Sequence, residues 1–75
     1  MNVQQLIEKL SVLDPEMMVV VDGYEGGVKE AFDVDIEVLA LNVHEEWYYG
    51  NHEALGVHDL QRYADKQKAP AVRIY

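Results

Sequence analysis

The sequence predicts a small α+β single domain, residues 1–75, in the order α-β-β-(β)-α-β. A mixed three- to four-stranded sheet would carry two helices on one face. Three observations predict it. The first thirteen residues are apolar at helical spacing. Residues 32–38 alternate apolar and acidic without a fault. The chain closes on "AVRIY", where Val72 and Ile74 alternate with Arg73 and Tyr75.

Val3, Leu6, Ile7, Leu10 and Leu13 lie on one helical face, so a helix is expected over 2–13. Asn2 can cap its start, and Gln5 stands where a capping box wants Glu or Gln. Asp14-Pro15 ends it, because the residue before proline avoids the α region. Met17 to Val21 is a continuous apolar run and reads as a central strand buried on both faces. "DGYEGG" follows, with three glycines in six residues, and reads as a hairpin-type turn. In "FDVDIEVLALNV", Phe32, Val34, Ile36 and Val38 point one way, toward the first helix or the core. Asp33, Asp35 and Glu37 point the other way, into water. From Leu39 the outer face turns apolar through Leu41 and Val43, so something must cover that end. "HEEWYYG" is expected to turn and pair back, with Trp47 to Tyr49 as a short edge segment. Val57, Leu60, Tyr63 and Ala64 suggest a second helix over 57–67, with Asp59 near its start and Lys66 and Lys68 near its end, as the helix dipole favours.

A chain of 75 residues buries only about 60% of the surface it would expose unfolded, so small domains commonly need a staple. With no cysteine, disulfides and thiolate metal sites are excluded, which leaves an efficient core or a homo-oligomer. Met1 to Leu13 has neither the basic start nor the apolar block of a signal peptide. The longest apolar run, Met17 to Val21, is far short of the roughly 20 residues that span a bilayer. The expectation is a cytoplasmic protein without a membrane partner.

Charge is unevenly spread. Residues 14–59 hold twelve acids against one base, Lys29, while residues 60–75 hold four bases against one acid. An acidic middle disfavours direct nucleic-acid binding, which needs a concentrated basic patch, and favours a basic partner.

Few residues carry chemistry. His44-Glu45, His52-Glu53 and His58-Asp59 offer zinc-compatible ligand types. There is no HExxH spacing, however, and adjacent residues on a strand point to opposite faces, so no metal site is expected. With no Cys or Thr, Ser11 is the main nucleophile candidate, and it sits inside the first helix without a nearby histidine. Asp33 and Asp35 share a face that would leave them ionised and solvated. "DGYEGG" lacks a phosphate-loop pattern, and Asp22 and Glu25 would repel an anion. No catalytic residue and no cofactor is expected.

The aromatics are more informative. Trp47, Tyr48 and Tyr49 are consecutive, so an extended segment cannot turn all three into one core. Trp and Tyr dominate binding hot spots, and here Glu45, Glu46 and Glu53 surround them. Such a cluster suits a cationic surface, where Arg side chains stack on rings and pair with carboxylates. Asp33, Asp35 and Glu37 would form a ladder of negative charge about 6.6–6.8 Å apart, able to imitate a phosphate backbone.

The stretch "LIEKLSVLDPEMMVVVDGYEGG", residues 6–27, resembles a type of short, acidic, uncharacterised phage and prophage protein that opens with a helix, an "LDP" break, a hydrophobic strand and a "GYEGG"-like turn. The resemblance implies a phage or mobile-element origin and a protein that blocks a host or defence factor; it carries no catalytic residues. The leading expectation is therefore a non-catalytic inhibitor that binds a basic protein surface, such as that of a nucleic-acid-binding host protein. Its contact residues would be Trp47, Tyr48, Tyr49, Tyr24, Asp33, Asp35, Glu37, Glu45 and Glu46. One alternative is a binder of a nucleotide signal at an oligomer interface, using Tyr24 or Trp47 with Arg62 or Arg73. Another is a metal-dependent hydrolase built on the three histidines.

Overall fold

The computed structural model describes residues 1–59 and 61–75, with His58 described by its backbone alone. The described chain divides into two compact units, Met1–Val34 with Ile74–Tyr75, and Asp35–Arg73. One helix and two small antiparallel sheets make up the regular structure.

The first unit opens with helix α1 (Val3–Leu10). Its start is the capping box the sequence predicts. The Gln5 N–H donates to Asn2 Oδ1 and the Asn2 N–H donates to Gln5 Oε1, both at 2.8 Å. Lys9 lies in the last turn, where a cation meets the negative end of the dipole. The helix stops three residues before Asp14-Pro15, because Ser11 caps it and the Leu13 N–H returns to the Leu10 carbonyl in a turn. Its apolar face is not covered: Val3, Ile7, Leu10 and Leu13 are exposed and only Leu6 is half-buried.

Strands β1 (Val20–Asp22) and β2 (Val28–Glu30) pair antiparallel, Val20 opposite Glu30 and Asp22 opposite Val28. The glycine-rich stretch is the connection between them. The Gly23 N–H donates to the Gly27 carbonyl at 3.0 Å, and Gly27 sits at φ +64°, a left-handed conformation that costs a glycine little. A Cβ on Gly23 would run into the Gly26 carbonyl oxygen. We expect Gly23→Ala to cost roughly 1–3 kcal/mol, read as a lower urea midpoint, because backbone must shift to admit the methyl. An unchanged midpoint would show that the loop is not closed this tightly. The Met17 to Val21 run is not a central strand. It enters a two-stranded sheet at Val20, and Val20 is exposed while Val21 is half-buried. A continuous apolar run signals two covered faces only if elements exist to cover them, and a lone hairpin supplies none.

Strand β3 (Val34–Ala40) leads from the first unit into the second, where β4 (Glu53–Ala54) and β5 (Lys68–Ile74) flank it in the order β4-β3-β5. Leu39 pairs with Ala54 and Ala40 with Glu53. In the first unit, Asp33 and Tyr75 exchange backbone bonds of 2.9 and 3.0 Å, the mark of an antiparallel pair. In the second, the Leu41 N–H donates to the Gln67 carbonyl at 2.8 Å. Pro70 lies within β5, an edge strand, where its missing N–H leaves no ladder bond unmade.

Two expectations about β3 change. The predicted core face is open to solvent: Phe32, Val34, Ile36 and Val38 are all exposed, with Phe32 at 82%. Burial gathers instead at the far end of the strand. Ala40 is the one fully buried residue among those described, and Leu39, Leu41, Val43 and Leu55 are half-buried beside it. There β4 supplies the cover, with the Leu55 N–H donating to the Val38 carbonyl at 2.9 Å. The apolar outer face from Leu39 onward is thus met by a returning strand, which comes from Glu53–Ala54 and not from Trp47–Tyr49.

The second helix expected over 57–67 is not formed as such. A 3-10 turn occupies Val57–Asp59, Leu60 lies outside the described residues, and turns follow from 61. Asp59 folds back to accept the Gly56 N–H at 3.0 Å. The next backbone bonds mix spacings, Tyr63 to Asp59 and Ala64 to Gln61, so no α-helical ladder propagates. Short helices persist chiefly where an apolar face is packed, and Val57 is exposed. Lys68 closes the segment: its Nζ donates to the Tyr63 carbonyl at 2.7 Å and the Lys66 carbonyl at 3.0 Å.

Candidate binding surface

The second unit carries the loop 41–52, and its stem explains its tip. Asn42 adopts φ +55°, a conformation asparagine tolerates better than most side chains. Its N–H donates to His52 Nδ1 at 2.9 Å, which requires a lone pair on Nδ1. Asn51 Nδ2 donates to Asn42 Oδ1 at 2.9 Å, and the Asn51 carbonyl accepts the N–H groups of Val43 and His44. Residues 42–44 and 51–52 are therefore clamped, and the six residues between them must turn.

They turn through a tight bend in which the Tyr49 N–H donates to the Glu46 carbonyl at 3.0 Å. In such a four-residue turn the two central positions project outward. Those positions are Trp47 and Tyr48, 93% and 71% exposed. Their rings meet edge to face with centroids 5.6 Å apart, so they present one aromatic pair. Tyr49 leans inward, its ring 4.6 Å from that of His44, while His44 Nε2 lies 3.2 Å from Glu53 Oε2. Glu45 and Glu46, on the same turn, are exposed. The turn thus gathers Glu45, Glu46, Trp47 and Tyr48 on one short outward segment, with Tyr49 joining it to the stem.

The other expected contact residues lie outside this turn in the chain. Tyr24 is 98% exposed in the β1–β2 loop, and Asp33 belongs with it to the first unit. Asp33 and Asp35 each accept the N–H of the following residue, at 2.7 and 2.8 Å. Glu37 is half-buried and matched: Arg73 reaches its Oε1 with Nη2 at 2.8 Å and with Nε at 2.9 Å. Of the acidic ladder, one rung is therefore neutralised by the neighbouring strand. Because this pair remains partly open to solvent, Glu37→Gln is expected to cost no more than about 1 kcal/mol in urea unfolding; a loss several times larger would mean that the pair organises the sheet.

Among the described residues no group of three or more His, Cys, Asp or Glu is placed to hold a metal ion. His44 and His52 are engaged in the loop stem, and the His58 side chain lies outside the described residues. An apolar groove in the first unit is lined in part by Leu6, Leu10 and Phe32 and contains none of Tyr24, Trp47, Arg62 or Arg73. No helix of the described chain is long and apolar enough to cross a membrane.

The sequence marks His52 only as a candidate metal ligand, and Asn42 and Asn51 not at all, so the clamp these three form is new with the structure. Its signal was present in "LNVH" and "GNHE", which place an asparagine and a histidine on each side of the aromatic triplet. No protein-family model matches the chain, and no curated protein or solved structure matches it.

Proposed function

We propose that this chain is a non-catalytic binding protein that blocks a cytoplasmic host or defence protein, in the manner of the small acidic phage-type proteins its opening third resembles. One observation carries the reading. A clamped loop holds Trp47, nearly fully exposed, at the centre of a turn that also exposes Tyr48, Glu45 and Glu46. An indole held in water by a braced turn gains nothing in the free protein, whereas on a partner it can bury roughly 150–250 Å² of ring surface. The flanking carboxylates select a partner face rich in Arg and Lys, of the sort nucleic-acid-binding proteins carry. The exposed carboxylates of Asp33 and Asp35 extend the acidic character, and Tyr24 is a further accessible ring. The test is capture from host extract with the wild-type chain and with a Trp47→Ala, Tyr48→Ala double variant. A partner held by the first and lost by the second supports the reading. Equal capture by both would show that the turn is not the contact.

A further inference from the structure

We infer that the base of the aromatic loop is a pH-sensitive latch: His52 holds Asn42 only while its ring is neutral, and acid shifts the anchoring of the loop to the His44–Glu53 pair. The two histidines stand on opposite sides of one stem and answer a proton in opposite directions. The inference concerns the loop itself and does not depend on what the loop binds.

At His52 the clamp has room for one ring proton and none for a second. Nδ1 accepts the Asn42 N–H at 2.9 Å. A neutral imidazole has one lone-pair nitrogen and one N–H, so the ring hydrogen is on Nε2. Nε2 meets the Asn51 amide nitrogen at 3.4 Å, itself a donor and bonded to Asn42 Oδ1 at 2.9 Å. Both ring nitrogens therefore face N–H groups. An imidazolium donates from both nitrogens and accepts at neither, so a second proton sets donor against donor at Asn42. Among the described residues no carboxylate is bonded to this ring to stabilise the charge. The ring is exposed and can turn into water once charged. Asn42 then loses a bond that helps hold it at φ +55°.

At His44 the proton is welcome. Nε2 lies 3.2 Å from Glu53 Oε2, and the Tyr49 ring packs edge-on at 4.6 Å. Protonation makes the first contact a charge-assisted hydrogen bond. Both partners are half-buried, so solvent screens the pair less than one on the open surface. The titratable groups around this ring are Glu53 from β4, Tyr49 from the turn and Glu45 next to it in the chain. The two carboxylates favour the charged ring, and a tyrosine is neutral at these pH values.

Histidine changes charge between about pH 5 and pH 8. Across that window the Asn42 bond is present at the upper end and lost as pH falls. The His44–Glu53 bond is strongest at the lower end and weakens as pH rises. The bonds from the Val43 and His44 N–H groups to the Asn51 carbonyl involve no titratable group and serve both forms. The loop is thus anchored at either pH, through a different histidine.

The test is NMR of the isotopically labelled chain from about pH 8 to about pH 5, following the backbone amides and the carbon-bound protons of each histidine ring. The Asn42 amide resonance is expected to move with the titration of the His52 ring in the wild type and in His44→Gln. It is expected to stay in place in His52→Gln, whose side-chain oxygen can accept the same N–H without taking up a proton. The contact between the His44 and Tyr49 rings, read from nuclear Overhauser effects, is expected to persist at the acid end. Far-UV circular dichroism of each variant checks that the fold is kept. A wild-type Asn42 resonance that stays in place while the His52 ring titrates overturns the inference. So does one that moves equally in His52→Gln, and so does loss of the His44–Tyr49 contact in acid.

Discussion

Replacing Trp47 and Tyr48 together by alanine is expected to lower affinity for the captured partner at least about 100-fold while leaving the fold in place. Truncating a hot-spot aromatic commonly costs 2 kcal/mol or more, and each 1.4 kcal/mol is tenfold in affinity. Two adjacent rings do not add independently, which is why the expected loss is a lower bound. Stability has little reason to move. The bonds that close the turn run through backbone groups, from Tyr49 to Glu46 and from Val43 and His44 to Asn51, and the stem is tied by Asn42, Asn51 and His52. Neither truncated ring contributes to them. Isothermal titration and urea unfolding of the same two proteins provide the check. A large drop in unfolding free energy with the same affinity per folded molecule would mean that the rings serve the fold.

Reversing charge at Glu45→Lys with Glu46→Lys is expected to slow association with a basic partner roughly tenfold or more at low salt. The reversed pair should also flatten the dependence of binding on ionic strength. Exposed carboxylates act mainly on the diffusional encounter, and their reach shrinks from about 30 Å at 0.01 M salt to about 8 Å at 0.15 M. Glu37 would contribute less than its place in the acidic row suggests, because Arg73 already compensates it. Stopped-flow association rates at several salt concentrations test this. A rate insensitive to both salt and charge reversal would remove the basic surface from the account and leave a purely apolar contact.

What could be read in advance follows the range of the interactions involved. The Asn2–Gln5 capping box and the glycine connection from Gly23 to Gly27 are set by neighbours within five residues. The sequence pattern carries them almost unaided, but not the last turn of the helix. That the aromatic triplet could not be wholly buried was legible, since three consecutive residues of an extended segment cannot share one face. The pairing of Trp47 with Tyr48 on the outside comes from the turn between Glu46 and Tyr49, which alternation does not foretell. The partnering of strands was not legible. Alternation from Phe32 to Val38 says that one face is apolar, but whether anything covers it depends on elements far along the chain, and here that face stays exposed. The second helix failed for the same cause, since its pattern promised a packed stripe and Val57 finds no packing. Lys68, placed by its charge near a helix end, does meet backbone carbonyls, but those of a turn.

The most direct measurement uses the chain's single tryptophan. Its fluorescence in the free protein reports Trp47 alone. The expected spectrum is the long-wavelength emission of an indole in water, quenched by acrylamide nearly as readily as a free indole, with a shift to shorter wavelength when the partner binds. Short-wavelength emission already protected from acrylamide in the free chain would place the ring inside the protein and contradict the contact surface proposed for it.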